Sequence, residues 1–249
     1  MIPFLLLSDQ GLVKTRAFKD RRYIGDPLNT VRIFNDKEVD EIVLLDIDAT
    51  PNRRGPNFPL IKDLASECFM PLAYGGGITS SDIARMLFGL GIEKIVLRSA
   101  VLQDMRIVEE IAGFAGSSSV ALSIDVKRSK RRDQRMIDGS GAIHKHPDWK
   151  SFLSSAINAG AGEIILNSAD RDGSMAGMDL ELIASAARLT TVPLVAVGGV
   201  GSLSDISEGI EAGADAIGVG SFVVFRGGRR SVLLTYPDYA ELEELLGRS

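Results

Sequence analysis

A single (βα)8 barrel of the TIM type, an α/β fold, is what this sequence predicts, and three observations predict it. Eight short apolar runs, rich in β-branched residues, alternate with helix-length amphipathic segments, the pattern of a parallel sheet wrapped by helices. The chain has 249 residues, and about 250 is the usual length of such a barrel without insertions. The third observation is an internal repeat. A shift of 122 places lays Glu41-Ile42 on Glu163-Ile164, Asp48 on Asp170, Pro71-Leu72 on Pro193-Leu194 and Gly76-Gly77 on Gly198-Gly199. The same shift lays Ser80 on Ser202, Gly91 on Gly213, Ser99 on Ser221 and Val101 on Val223. One ungapped offset across three consecutive strands implies duplication, with half-barrels at about 1–118 and 119–249. The competing architecture, a doubly wound open sheet, needs a reversal of strand order and fewer, longer units.

In chain order the strands fall at 2–7, 41–47, 70–74, 94–97, 120–124, 163–166, 194–197 and 216–219. Amphipathic runs such as 82–90, 105–114 and 205–212 supply helices between them. A hydrophobic content of 45% and 26 glycines suit a large core with many tight turns. The net charge of −5 gives no global attraction to nucleic acid or to a membrane surface. Cys68 is the single cysteine, which excludes an intramolecular disulfide and a cysteine-based metal cluster. With no basic leader and no apolar stretch long enough to span a bilayer, a cytoplasmic protein is expected.

Function should gather where strands end in polar residues, because such barrels bind ligands at the carboxyl ends of their strands. The run at 163–166 breaks into Asn167, Ser168, Asp170, Arg171, Asp172 and Gly173. A glycine beside two carboxylates can turn the backbone N–H groups onto an anion, although an Asp/Gly turn closing a strand–helix connection is the ordinary account. Gly76-Gly77 and Gly198-Gly199 each leave a strand and enter a helix without side chains, a form that cradles phosphate. Arg98-Ser99 and Gly220-Ser221, at matching spacing, can complete the two cradles. Two cradles on opposite sides of one mouth suggest a substrate with a phosphate at each end. Asp125 closes the fifth strand and is the best acid/base candidate, a turn cap being the alternative. The basic run from Lys127 to Arg135, which includes Lys130, Arg131 and Arg132, reads first as a solvated loop and second as an attractor of anions. His144 and His146 have no acidic partner at ligand spacing, and no metal or cofactor is expected.

These residues carry a resemblance. The chain resembles the HisF-type barrel, the cyclase subunit of imidazole glycerol phosphate synthase, over essentially its whole length. The matching motifs are Ile2-Pro3 with Leu12-Val13-Lys14, Leu45-Asp46-Ile47, Gly75-Gly76-Gly77-Ile78, Ser123-Ile124-Asp125, Gly160-Ala161-Gly162-Glu163-Ile164, Asp170-Arg171-Asp172-Gly173 and Gly198-Gly199. The resemblance implies a barrel that takes ammonia from a HisH-like glutaminase subunit and uses it to open and cyclise a bisphosphorylated ribonucleotide. Gly76, Gly77 and Ser99 would then hold one phosphate, and Asp172, Gly173, Gly199, Gly220 and Ser221 the other. Asp125 would be one of two catalytic aspartates and Lys14 a lysine touching the substrate. Glu41, Lys94 and Glu163, at the starts of the second, fourth and sixth strands, would belong to a charged ring that gates ammonia.

The departures redirect this expectation. Leu6 stands where the family has its first catalytic aspartate, and Arg98 replaces an asparagine of the fourth-strand cradle. A leucine moves no proton, and general acid–base catalysis is worth roughly 10²–10⁴-fold. Asp9 belongs further out in the loop and is no substitute. The Leu5-Leu6-Leu7 version, with Asp36-Lys37-Glu38-Val39-Asp40, Ser66-Glu67-Cys68-Phe69-Met70-Pro71 and Tyr236-Pro237, resembles a branch that serves amidino sugars of bacterial surface polysaccharides. That branch implies part of a glutamine-dependent amidotransferase or lyase complex, with a separate amidotransferase as a further partner. Its substrate would be phosphorylated, a small molecule or a nucleotide- or lipid-linked sugar. Histidine biosynthesis is the alternative, and a non-catalytic ammonia conduit the second alternative.

Overall fold

The computed structural model describes residues 1–9, 11–129, 133–138, 141–144, 148–227, 230–245 and 247. Its eight central strands are β1 (Ile2–Ser8), β2 (Ile42–Asp46), β3 (Leu72–Gly75), β4 (Lys94–Leu97), β5 (Val120–Arg128), β6 (Glu163–Ser168), β7 (Leu194–Val197) and β8 (Ala216–Val219). Neighbours in sequence pair in parallel, and β8 returns to β1 through Gly218 on Ile2 and Val219 on Pro3. The ring is closed, so the fold is the expected (βα)8 barrel. Both faces of a closed parallel sheet are covered, which is why the strands are nearly continuous apolar runs.

Alternation along each strand divides the core in two. Ile2, Phe4, Val43, Ala73, Val96, Ala121, Ile165 and Val195 fill the barrel interior. Residues of the opposite parity, among them Leu5, Leu7, Ile42, Leu44, Leu122 and Ile164, face the helices in a larger cluster. The helices are α1 (Pro27–Asp36), α2 (Phe58–Glu67), α3 (Ser81–Gly89), α4 (Arg106–Ala115), α5 (Trp149–Asn158), α6 (Leu180–Ala187), α7 (Leu203–Glu211) and α8 (Tyr239–Leu245), the last packing on α7. Ser80 and Ser202, matched by the 122-place shift, cap α3 and α7 by accepting from Ile83 N and Asp205 N. The caps start these helices ahead of their apolar stripes, and Asp205 completes a reciprocal capping box. No helix among the described residues is long and apolar enough to cross a membrane.

Two features depart from the sequence pattern. After β1 the chain doubles back as an antiparallel hairpin, Gly11–Arg16 with Lys19–Gly25, which extends the sheet over the mouth. Strand β5 does not stop at Ile124 but runs to Arg128 and pairs antiparallel with Gln134–Met136. Asp125 therefore lies inside a strand, and Lys127 and Arg128 belong to a ribbon instead of a loop. Arg128 binds Asp179 and Glu181, and Arg135 binds Asp133, so acids of this chain absorb part of the basic run. Lys130, Arg131, Arg132 and His146 lie outside the described residues.

Candidate active site

The carboxyl ends of the strands form one mouth, and inward parity decides which side chains enter it. On β1 the series Ile2, Phe4 continues to Leu6, which pairs in register with Leu45 of β2. The first two strands offer only hydrocarbon at this level. On β5 the inward series ends at Asp125, which is 4% exposed. The β5–β6 register sets Asp125 beside Asn167, and Asn167 Nδ2 donates to Asp125 Oδ1 at 2.7 Å. From the end of β4, Arg98 Nη2 comes to 2.7 Å of Asp125 Oδ2. Each carboxylate oxygen thus has its own partner, one neutral and one cationic. Beyond that ion pair, Arg98 Nε and Asn167 Oδ1 are buried without a hydrogen-bond partner among the described residues. The mouth keeps polar capacity for a ligand or water.

The two glycine turns are shaped by their neighbours. A Cβ on Gly76 would lie 2.4 Å from Asp46 O, one on Gly77 2.7 Å from Arg54 O, and one on Gly199 2.2 Å from Gly177 O. Adjacent strand–helix loops press their backbones against these turns, so only glycine fits. Ser99 opens the short helix Ser99–Gln103 directly after Arg98, and Ser221, which is buried, opens Ser221–Val224 after Gly220.

The other expected cradle is covered. Ala17 N donates to Asp172 O, and the Asp172 carboxylate accepts from Thr15 Oγ1 at 3.2 Å and Phe18 N at 3.5 Å. Gly173, at φ +64°, lies so close to the hairpin that a Cβ would fall 2.2 Å from Thr15 O. Asp172 and Gly173 hold the hairpin tip in this arrangement. Burial pushes the Asp172 carboxyl up, and the Lys14 ammonium opposes it. On the opposite side Arg21 binds Asp48 at 2.5 Å, Ser8 Oγ donates to Asp48, and Arg54 joins Asp9 to Asp46. The hairpin is fastened at both edges of the mouth.

Lys14 reaches back from the hairpin into the barrel wall. Strands β1 and β8 pair at only two positions, so the Phe4 carbonyl has no partner on β8. Lys14 Nζ donates to it. A Cβ on Gly220 would lie 2.7 Å from Lys14 Nζ, so this glycine makes the space that the ammonium fills. Burial drives Lys14 from 10.5 down to about 8, with Asp172 opposing. Between those values the unfolded chain binds more protons than the folded one, so this lysine makes the protein more stable as pH rises from 8 to 10.5; the cost of burying its charge is full below pH 8. We therefore expect the stability of the wild type relative to Lys14→Met to rise across that window by on the order of 3 kcal/mol. Denaturant unfolding at several pH values checks this, and a flat difference would contradict it.

At the opposite, amino-terminal end, Lys94 Nζ donates to Glu41 Oε1 at 2.9 Å and Glu163 Oε2 at 2.7 Å. Burial pulls the Lys94 ammonium down, but the two glutamates more than offset it and leave it raised. Burial pushes Glu163 up against the pull of Lys94. Glu41 and Lys94 line an open cavity of about 250 Å³ with Pro71, Leu72, Ala73, Glu93, Ser118 and Ser119. Sequence reasoning missed Asn167 as the partner of Asp125, and the Asp46–Arg54 pair that organises the second loop. The Asn167 signal was its place four residues after Glu163, on the inward parity of β6. The Asp46–Arg54 pair spans a turn and left no periodic trace.

A closed (βα)8 barrel with an acid at its carboxyl-end mouth and a lysine–glutamate cluster at its amino-terminal end defines the class to which comparison can be made. The chain matches the family described as histidine biosynthesis protein over residues 1–227. It belongs to that family, as a HisF-type imidazole glycerol phosphate synthase cyclase barrel. It is 44% identical over 244 residues to a Pseudomonas aeruginosa protein provisionally named imidazole glycerol phosphate synthase subunit hisF2, covering 98% of this chain and 97% of the relative. A Leptospira borgpetersenii protein with the provisional name imidazole glycerol phosphate synthase subunit HisF is 43% identical over 249 residues, at 98% and 97% coverage. The imidazole glycerol phosphate synthase subunit HisF of Dictyoglomus thermophilum is 35% identical over 217 residues, at 87% and 86%.

Proposed function

We propose that this chain is a HisF-like subunit that receives ammonia from a HisH-like glutaminase and supports amidation of a phosphorylated, nucleotide-linked or lipid-linked sugar in surface polysaccharide synthesis. The observation that carries this reading is the mouth itself. Leu6 enters it where an acid is needed for cyclisation, and the remaining carboxylate, Asp125, is paired with Arg98. A barrel with that mouth is better suited to delivering ammonia than to closing an imidazole ring.

In this reading ammonia enters past Glu41, Lys94 and Glu163 and leaves beside Asp125. Asp125 and Lys14 are the catalytic candidates. Gly76, Gly77, Arg98 and Ser99 hold one phosphate of the acceptor. Asp172, Gly173, Gly199, Gly220 and Ser221 hold another once the hairpin tip lifts. A separate amidotransferase completes the assembly. The second reading is histidine biosynthesis, favoured by the 35% likeness to a HisF subunit. A purely ammonia-conducting scaffold is the third, favoured by the engagement of both Asp125 oxygens. Complementation separates the first two: expressed in a histidine auxotroph lacking its cyclase subunit, this chain is expected not to restore growth without histidine. Restored growth would make the histidine reading correct.

A further inference from the structure

We infer that Phe69 is the anchor on which the glutaminase seats, and that this partner meets it with an apolar socket bordered by basic side chains. The inference rests on the reading above that ammonia is supplied at the amino-terminal end of the barrel. Phe69 lies in the turn between α2 and β3 and is 87% exposed, more than any other large apolar side chain described. A single exposed apolar residue is ordinary. What separates this one is how it is held and where it stands.

Asn35, near the end of α1, grips the turn from both sides. Its Nδ2 donates to Glu67 O at 2.6 Å and its Oδ1 accepts from Phe69 N at 3.1 Å. Arg32 makes a two-pronged bond to the Glu67 carboxylate at 2.9 and 3.0 Å. A fixed turn therefore presents the ring to solvent, so little conformational freedom remains to be lost on binding. Two residues on, Pro71 lines the cavity that holds Glu41 and Lys94. Phe69 thus lies two residues along the chain from the wall of that cavity, on the end of the barrel that a docked partner would have to seal. Elsewhere on the same end, the exposed side chains of Asp36, Glu38, Glu93 and Asp215 outnumber those of Lys37 and Arg188. An apolar knob in an acidic surround fits a partner with an apolar pocket and a basic rim.

The test is calorimetric titration of the full-length barrel with the HisH-type glutaminase subunit of the same organism, using wild type, Phe69→Ser, Phe69→Leu and, as a surface control on α3, Met86→Ser. Phe69→Ser should weaken binding at least about thirtyfold, the scale of an interface hot spot. Phe69→Leu should retain most of the affinity, Met86→Ser all of it, and wild-type binding should weaken with added salt. Because Phe69 makes almost no contact within the chain, melting of Phe69→Ser should match the wild type. Unchanged affinity of Phe69→Ser overturns the inference and leaves the functional reading standing. Equal weakening by Phe69→Ser and Met86→Ser also overturns it. Loss of self-association in Phe69→Ser, with glutaminase affinity intact, assigns the face to a second copy and overturns it as well. A wild-type barrel that binds no glutaminase removes the reading on which the inference rests.

Discussion

Given ammonium and the bisphosphorylated ribonucleotide of the histidine route, the wild-type protein is expected to turn over well below about 1 s⁻¹, the low end for ordinary enzymes. Leu6 supplies no proton, and Asp125 is engaged by Arg98 at 2.7 Å and by Asn167 at 2.7 Å. Leu6→Asp alone should therefore recover little. It restores a carboxylate in a mouth where the second acid is still tied to a guanidinium. Leu6→Asp combined with Arg98→Asn frees Asp125 and should exceed either single variant by roughly 10²-fold or more, the scale of general acid–base catalysis. Such non-additivity is expected of groups that act on one another directly. Steady-state assays of the four proteins decide it. Wild-type turnover of ordinary size would remove the argument from Leu6. Leu6→Asp as active as the double variant would remove the part assigned to Arg98.

Under the proposed function, reversing the charge at Lys94 is expected to separate the two nitrogen sources of the proposed assembly. Lys94 sits between Glu41 and Glu163 within hydrogen-bond distance of both. Lys94→Glu would place three carboxylates together in a half-buried site, where like charges repel and the sites take up protons. Proton uptake would trap ammonia as ammonium at the opening. Glutamine-dependent activity of the proposed assembly should fall by at least about tenfold, equivalent to 1.4 kcal/mol in the barrier. Activity with ammonium salts, which can reach the mouth from solvent, should stay within about twofold of the wild type. Parallel assays with the two nitrogen donors give the answer. Equal loss of both would trace to damage of the barrel floor by unpaired buried charge.

The sequence by itself determined the barrel and much of the mouth. Period-2 alternation carries inward parity along a strand from residue to residue, so Leu6 follows from Ile2 and Phe4 without any distant contact. The same local rule brings Asp125 into the mouth. The 122-place shift also matches Ser80 with Ser202, because helix capping is a local interaction. Only the tertiary structure decided what these residues touch. The hairpin after β1 escaped notice because its turn uses left-handed Ala17 and Phe18, at φ +48° and +64°, with no glycine or asparagine to announce it. Its tip is held by Asp172, 157 positions from Thr15, and no pattern in a window of residues reports a contact at that separation. The swing of Arg98 onto Asp125 is likewise a choice among rotamers of a long side chain, decided by a buried carboxylate on the next strand. Lys14 likewise needed a missing β8 partner at Phe4 and the empty side of Gly220 before its place could be known. Local periodicity settles which way a side chain points; long-range packing and charge settle what it meets there.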